Sequence, residues 1–166
     1  MKTIKMLMAL GMATILCMAM ISFVAAADLV AVATPAAFAK AADWTALMKV
    51  KNIPVRNVAP SDSAGFKDAP YLVLMGGMDE TGGIKPLVEK AVGKAEYEWI
   101  NKAGNSRMFV KSNVWSGGQE VIIFAGADSA GADAARKVNR AEWWEIISGW
   151  FGIEDDAKGK GGTPAY

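Results

Sequence analysis

Two glycine-rich segments hold the side chains with the widest choice of chemistry. Gly76-Gly-Met-Asp-Glu-Thr-Gly-Gly83 sets glycines after an apolar run and before a helical one, an arrangement that lets backbone amides approach an anion. A phosphate loop would close on Gly-Lys-Ser/Thr. This segment instead closes on Gly82-Gly83-Ile84 and places Asp79 and Glu80 where they would repel phosphate, so Gly76, Gly77 and Asp79 read as a glycine turn. Gly126-Ala-Asp-Ser-Ala-Gly131 has its serine in a G-x-x-S-x-G frame, whereas a nucleophile elbow needs G-x-S-x-G. Asp128 and Ser129 read better as caps of the helix that follows. Asp79, Glu80 and Asp128 could offer carboxylate oxygens to calcium if they converge, and Asp79 with Glu80 could serve glycoside chemistry. Adjacent acids in a loop commit to neither geometry, so no catalytic set and no metal set is assigned.

What the chain lacks narrows the chemistry further. It has no histidine, which removes the commonest general base and a principal ligand for zinc or copper. A Ser-His-Asp or Cys-His site is impossible. The single cysteine, Cys17, lies in the N-terminal leader, so the remainder has no disulfide to rely on. That leader has Lys2 and Lys5, an uncharged apolar run from Met6 to Val24, and Ala25-Ala26-Ala27 before Asp28. The order matches an export signal and predicts cleavage after Ala27. Retention as a membrane anchor is the alternative, because about 18 apolar residues already make a spanning candidate. A lipoprotein reading at Cys17 meets Leu16 where a small residue is expected. Residues 28–166 carry sixteen basic and seventeen acidic side chains, with no basic stripe, which argues against nucleic acid as a partner. Their length suits one domain.

The elements that must position these loops follow from periodicity. Leu29–Ala33, Tyr71–Met75 and Glu120–Ala125 are apolar runs suited to strands buried on both faces. Thr34-Pro35 starts a helix over 35–50, with Phe38, Ala41, Trp44, Thr45 and Met48 on its apolar stripe. Ile53–Val58 alternates like a strand, and Pro54 sends it toward an edge. Residues 59–70 read as a surface loop. Helices are expected over 84–92 and 94–102, separated at Gly93. Arg107–Ser112 and the strand after it suggest a hairpin with a long loop. A single helix is expected over 130–149, with Val138, Ala141, Trp144 and Ile147 inward and Arg136 and Arg140 outward. Residues 152–166 are polar and glycine-rich and are expected to be disordered. The alternation predicts a single three-layer α/β domain over 28–151, Rossmann-like, with a mostly parallel, mixed sheet of about five strands. Right-handed crossovers would gather the loops after Ala33, Met75 and Ala125 at one edge of that sheet, including Gly76, Gly77, Asp79, Gly126, Asp128 and Ser129.

Trp143, Trp144, Trp150 and Phe151 crowd the end of the last helix. Trp143 and Trp150 are seven apart and share a side, while Trp144 points about 100° away. One face can pack inward and the other lie along the domain. The alternative is an interaction surface made by Trp143, Trp150 and Phe151 for a partner, glycan or membrane surface.

Tyr71-Leu-Val-Leu-Met-Gly-Gly77 and Ser116-Gly-Gly-Gln-Glu-Val-Ile-Ile-Phe-Ala-Gly-Ala-Asp-Ser-Ala-Gly-Ala-Asp-Ala-Ala135 together resemble the small α/β domains of archaeal surface-layer proteins and related cell-wall-binding repeats. In those domains a hydrophobic strand ends in Gly-Gly. A later strand runs into Ala-Gly, an acidic residue and an alanine-rich helix. Here Met78 and Asp79 stand where that family shows proline and then asparagine, and Ala132 stands where threonine is common. The resemblance covers about residues 70–138 and implies an envelope-associated, non-catalytic domain without a cofactor. Its implied partners are cell-wall or surface-layer components, with self-association among them. The runner-up from the residues themselves is an extracytoplasmic small-ligand binder using the strand-end loops, and an enzyme is third.

Overall fold

The computed structural model describes residues 27–153. The leader, Cys17 and most of the expected tail lie outside the described residues. Among those described, no helix is long and apolar enough to cross a membrane.

Five strands form one sheet in the order β2-β1-β3-β5-β4. They are β1 (Leu29–Val32), β2 (Val55–Val58), β3 (Tyr71–Gly77), β4 (Ser106–Ser112) and β5 (Glu120–Gly126). β1 runs parallel to β2 and β3, β3 runs parallel to β5, and β4 alone is antiparallel, paired with β5. The expected α/β architecture with a mostly parallel, mixed sheet is therefore what the chain adopts. Pro54 precedes the edge strand β2, and its carbonyl accepts from the Leu29 amide at 2.9 Å. A proline fits there because the strand has a neighbour on one side only.

The three central strands are covered on both faces, and their side chains alternate between two cores. Val30, Val32, Leu72, Leu74, Val121 and Ile123 face one core; Leu29, Ala31, Val73, Met75, Ile122 and Phe124 face the other. Helices α3 (Lys85–Val92) and α4 (Lys94–Ile100) cover the first face, with Ile84, Val88, Val92 and Ile100 buried against it. Gly93, at φ +85°, separates them in a conformation that a side chain would strain. Helices α1 (Pro35–Lys40), α2 (Ala42–Val50), α5 (Ser129–Val138) and α6 (Arg140–Trp150) lie on the second face. The β1-to-β2 crossover runs to one side of β1 and the β2-to-β3 crossover, through residues 59–70, returns to the other. Right-handed crossovers in opposite directions put α1 and α2 on one face and Phe66 on the other.

Three expectations needed correction. The helix expected over 35–50 is two helices meeting at Ala41, whose amide bonds three residues back to Phe38 at 3.1 Å. The helix expected over 130–149 breaks at Asn139, whose side-chain amide donates to the Ala135 carbonyl at 2.7 Å. That local bond competes with helix continuation. Arg136 is buried at 2% exposure and Val138 is 83% exposed, the reverse of the inner and outer faces expected, because the buried stripe runs through Ala132, Ala135, Arg136, Trp143 and Ile147. The third concerns residues 59–70. They contain a short 3-10 turn, Ser63–Gly65, and bury Phe66 completely against the first face. Phe66 meets the edge of Trp115 at 5.5 Å.

Candidate functional site at the carboxyl ends of the strands

The loops after β1, β3 and β5 do arrive at one edge, because those strands are parallel and in register. Their glycines serve packing. A Cβ on Gly77 would lie 2.5 Å from the Asp128 carbonyl carbon and closer still to the Ser129 amide. One on Gly126 would lie 2.5 Å from the Ala132 amide and 2.6 Å from the Gly131 carbonyl carbon. The ends of β3 and β5 thus sit directly beneath the first turn of α5, where only a bare Cα fits. The Met78 amide closes the junction by donating to the Gly126 carbonyl at 2.9 Å. Asp128 caps α5, its Oδ1 accepting from the Gly131 amide at 2.7 Å. Ser129 begins the helix itself, and its Oγ accepts from Lys40 Nζ.

The carboxylates do not gather. Asp79 is exposed and turns back toward Gly77, and Asp128 is engaged in its cap. Glu80 folds over Gly76 toward Thr34, whose hydroxyl donates to its Oε2 at 3.0 Å and accepts from the Ala37 amide at 3.1 Å. No group of three potential ligand side chains suited to one metal ion occurs among the described residues. The Thr34–Glu80 bond crosses the switch point between the parallel strands β1 and β3, where the connections leave the sheet in opposite directions and where ligands sit in open parallel sheets.

Beneath that bond lies a cavity of about 20 Å³, lined in part by Met75, Phe124, Lys40, Glu80 and Arg136. This is room for about one water. Arg136 fills the space beside it. Its guanidinium meets Asp43 through two bonds of 2.8 and 2.9 Å and Asp133 at 2.6 Å. Lys137 adds a 2.6 Å pair to the other oxygen of Asp133. The bonds from Arg136 hold the Asp43 carboxyl below its ordinary pKa. Burial pushes Asp133 upward, but the bonds from Lys137 and Arg136 outweigh it, and its pKa is lowered too. Above the cavity, Thr34, Lys40, Glu80, Thr81 and Ser129 rim an open depression of about 420 Å³.

The chain matches no family model, no curated protein and no solved structure. What it offers must be read from its own geometry.

The aromatic cluster sits elsewhere and is largely spoken for. Trp143 is 2% exposed, with its ring edge-on to Phe124 and its indole N–H donating to the Arg136 carbonyl at 2.8 Å. It belongs to the core and not to an interaction surface, because it shares the buried face of Arg136 seven residues earlier. Trp150 follows on the same side and stacks on Tyr71 at 5.0 Å, with Phe151 at 5.4 Å from the same ring. Both remain half-buried. Trp144 lies under Lys51 Nζ at 5.5 Å. Sequence reasoning missed Thr34 as a partner of Glu80, Lys40 as a partner of Ser129, and Arg136 altogether as an interior group. The capping position of Thr34 was visible, but partners 46, 89 and 93 residues apart carry no local signal.

Proposed function

We propose that this chain is an exported, envelope-associated protein whose domain works without catalysis, by binding or assembly through its outer surface. The single observation that carries this reading is the closure of the strand-end edge. α5 packs onto Gly77 and Gly126, and the cleft left between Met75, Phe124 and Arg136 is about 20 Å³, too small for anything beyond a water, while the larger space above it is a shallow open depression. Ser129, the one hydroxyl in an elbow-like position, is held by a donor, while a nucleophile needs a base that accepts its proton. The leader pattern and the resemblance to surface-layer domains point the same way.

The test is fractionation of the native host with intact-mass measurement, followed by binding of the recovered protein to isolated envelopes. Mass loss matching residues 1–27 and retention on envelopes are expected. Untrimmed protein dissolved in the cytosol would overturn the reading. One observation favours a second reading, a small-ligand binder: the open depression sets the Lys40 ammonium and the Glu80 carboxylate on one rim. A thermal-shift screen with sugars, nucleotides and calcium separates the two, since a ligand that binds only the folded state raises the melting temperature.

A further inference from the structure

The two ends of the sheet are unequal. β2 is four residues long, follows a proline, and pairs Arg56 with Asp28 at 3.9 Å. It is a short and charged edge, the kind that resists pairing. β4 is seven residues long, pairs with β5 at every position from Ser106 to Ser112 without a bulge, and has no strand on its other side among the described residues.

The hydrogen bonds at the ends of this ladder fix which groups point outward. Asn113 donates to the Gln119 carbonyl at 2.7 Å, and Ala127 donates to the Asn105 carbonyl at 2.9 Å. In an antiparallel pair such residues alternate, so Arg107, Phe109 and Lys111 turn their backbone groups toward β5. Ser106, Met108, Val110 and Ser112 turn theirs away from the sheet. The cations that would blunt this edge lie over the α4 side instead. Arg107 stacks on Trp99 at 4.5 Å, and Lys111 sits 3.3 Å from Glu96. Val110 is left 40% exposed.

We propose that β4 pairs antiparallel with β4 of a second copy, Val110 against Val110, joining two sheets across a two-fold axis. An antiparallel edge is complementary to itself under a two-fold rotation, which closes the assembly at two. Charge selects the register. Outward residues must face outward residues, and centring on Phe109 would set Arg107 directly opposite the second copy's Lys111, twice, at a cost in like-charge repulsion. Centring on Met108 would leave Val110 against Ser106. Centring on Val110 buries the exposed valine against itself, sets Phe109 opposite Lys111, and meets Arg107 with Asn113. The inference deepens the assembly reading above, on which it rests for its setting, by naming one partner and one site.

The experiment is sedimentation of the chain as its host delivers it, from micromolar to near-millimolar concentration. A dimer is expected. Val110→Pro should give a monomer whose melting temperature matches wild type at dilutions where wild type is also monomeric and no longer rises with concentration, because the amide it removes bonds to nothing within the protomer. Val110→Lys should do the same by setting two ammonium groups face to face, which covers the case in which proline disturbs the strand. In a Cys17→Ser background, Val110→Cys should form a disulfide-linked dimer under mild oxidation, since paired Cα atoms about 5.5 Å apart are within disulfide reach. Met108→Cys should stay largely unlinked. A monomer throughout, a dimer undisturbed by both Val110 variants, or equal linking by Met108→Cys overturns the proposal. Envelope binding is scored separately. A monomer that still binds envelopes removes the edge pairing alone, and a dimer that does not bind them supports the pairing while removing the envelope reading.

Discussion

On the face covered by α3 and α4, the buried side chains are apolar, and the buried polar group that ties its end together is neutral. Gln119, fully buried, donates to the Lys67 and Ala69 carbonyls at 2.9 Å each and accepts from the Trp115 amide at 3.2 Å. On the face covered by α1, α2, α5 and α6, an apolar core around Trp44, Phe124 and Trp143 is joined by a buried guanidinium holding two carboxylates. One sheet thus separates a side whose closure ignores pH from a side whose closure titrates. The difference follows from what each face had to seal. The first covers loops whose stray carbonyls need a neutral donor. The second joins α2 to α5, both of which bring charge.

The largest effect should come from the neutral face. Phe66→Ala removes a fully buried ring that packs against Trp115, and should cost about 3–5 kcal/mol in urea unfolding at any pH where the protein folds. A cost that varied with pH would mean that this face is coupled to ionisation after all. A more pointed substitution is Gln119→Glu, which keeps the shape but turns a carboxylate toward two carbonyls. At neutral pH it should cost about 2–3 kcal/mol, the penalty for a buried charged group facing acceptors. Its folded-state pKa would be raised, so the penalty shrinks as pH falls toward the unfolded value near 4 and grows as pH rises. If its unfolding free energy tracks wild type at both ends of that window, Gln119 is not the tie described here.

The sheet could be read from the sequence because β1, β3 and β5 are buried on both faces and so appear as unbroken apolar runs. The convergence of the strand-end loops followed from parallel topology alone. What filled that edge did not. Gly77 and Gly126 read as turn glycines at an edge where a ligand could sit, but that they answer to the backbone of α5 carried no local signal. The inward turn of Arg136 was hidden twice over, since a regular three-residue spacing of Val138, Ala141, Trp144 and Ile147 runs straight across the break at Asn139, and Asp43 lies 93 residues away. Asn139 itself was the local clue, as an amide side chain in mid-helix often bonds back to the preceding turn. Phe66 was a similar clue, a lone aromatic in a polar loop, which earns its burial only when Gln119 and Trp115 arrive from the other side.

Arg136→Met puts the contrast between the faces to its finest test. The substitution keeps an unbranched apolar side chain over the 20 Å³ cavity and removes the partner that Asp43 and Asp133 share. Asp43 is more than half exposed and Asp133 keeps Lys137, so the released carboxylates find water or another cation. The loss at neutral pH should therefore be about 1–2 kcal/mol, below the 3–5 kcal/mol of a fully buried broken pair. Its pH dependence is the decisive part. Both acids have native pKa values below their ordinary ones, so in wild type the stabilisation is complete above about pH 4 and fades as pH falls through the native values. Wild type and Arg136→Met should converge on acidification, while wild type and Gln119→Glu also converge but through the opposite behaviour of the variant, which stops being penalised. Parallel profiles for wild type and Arg136→Met from pH 7 down to the acid limit of folding would mean that the guanidinium acts by filling space, and the two faces would then differ in shape and not in charge.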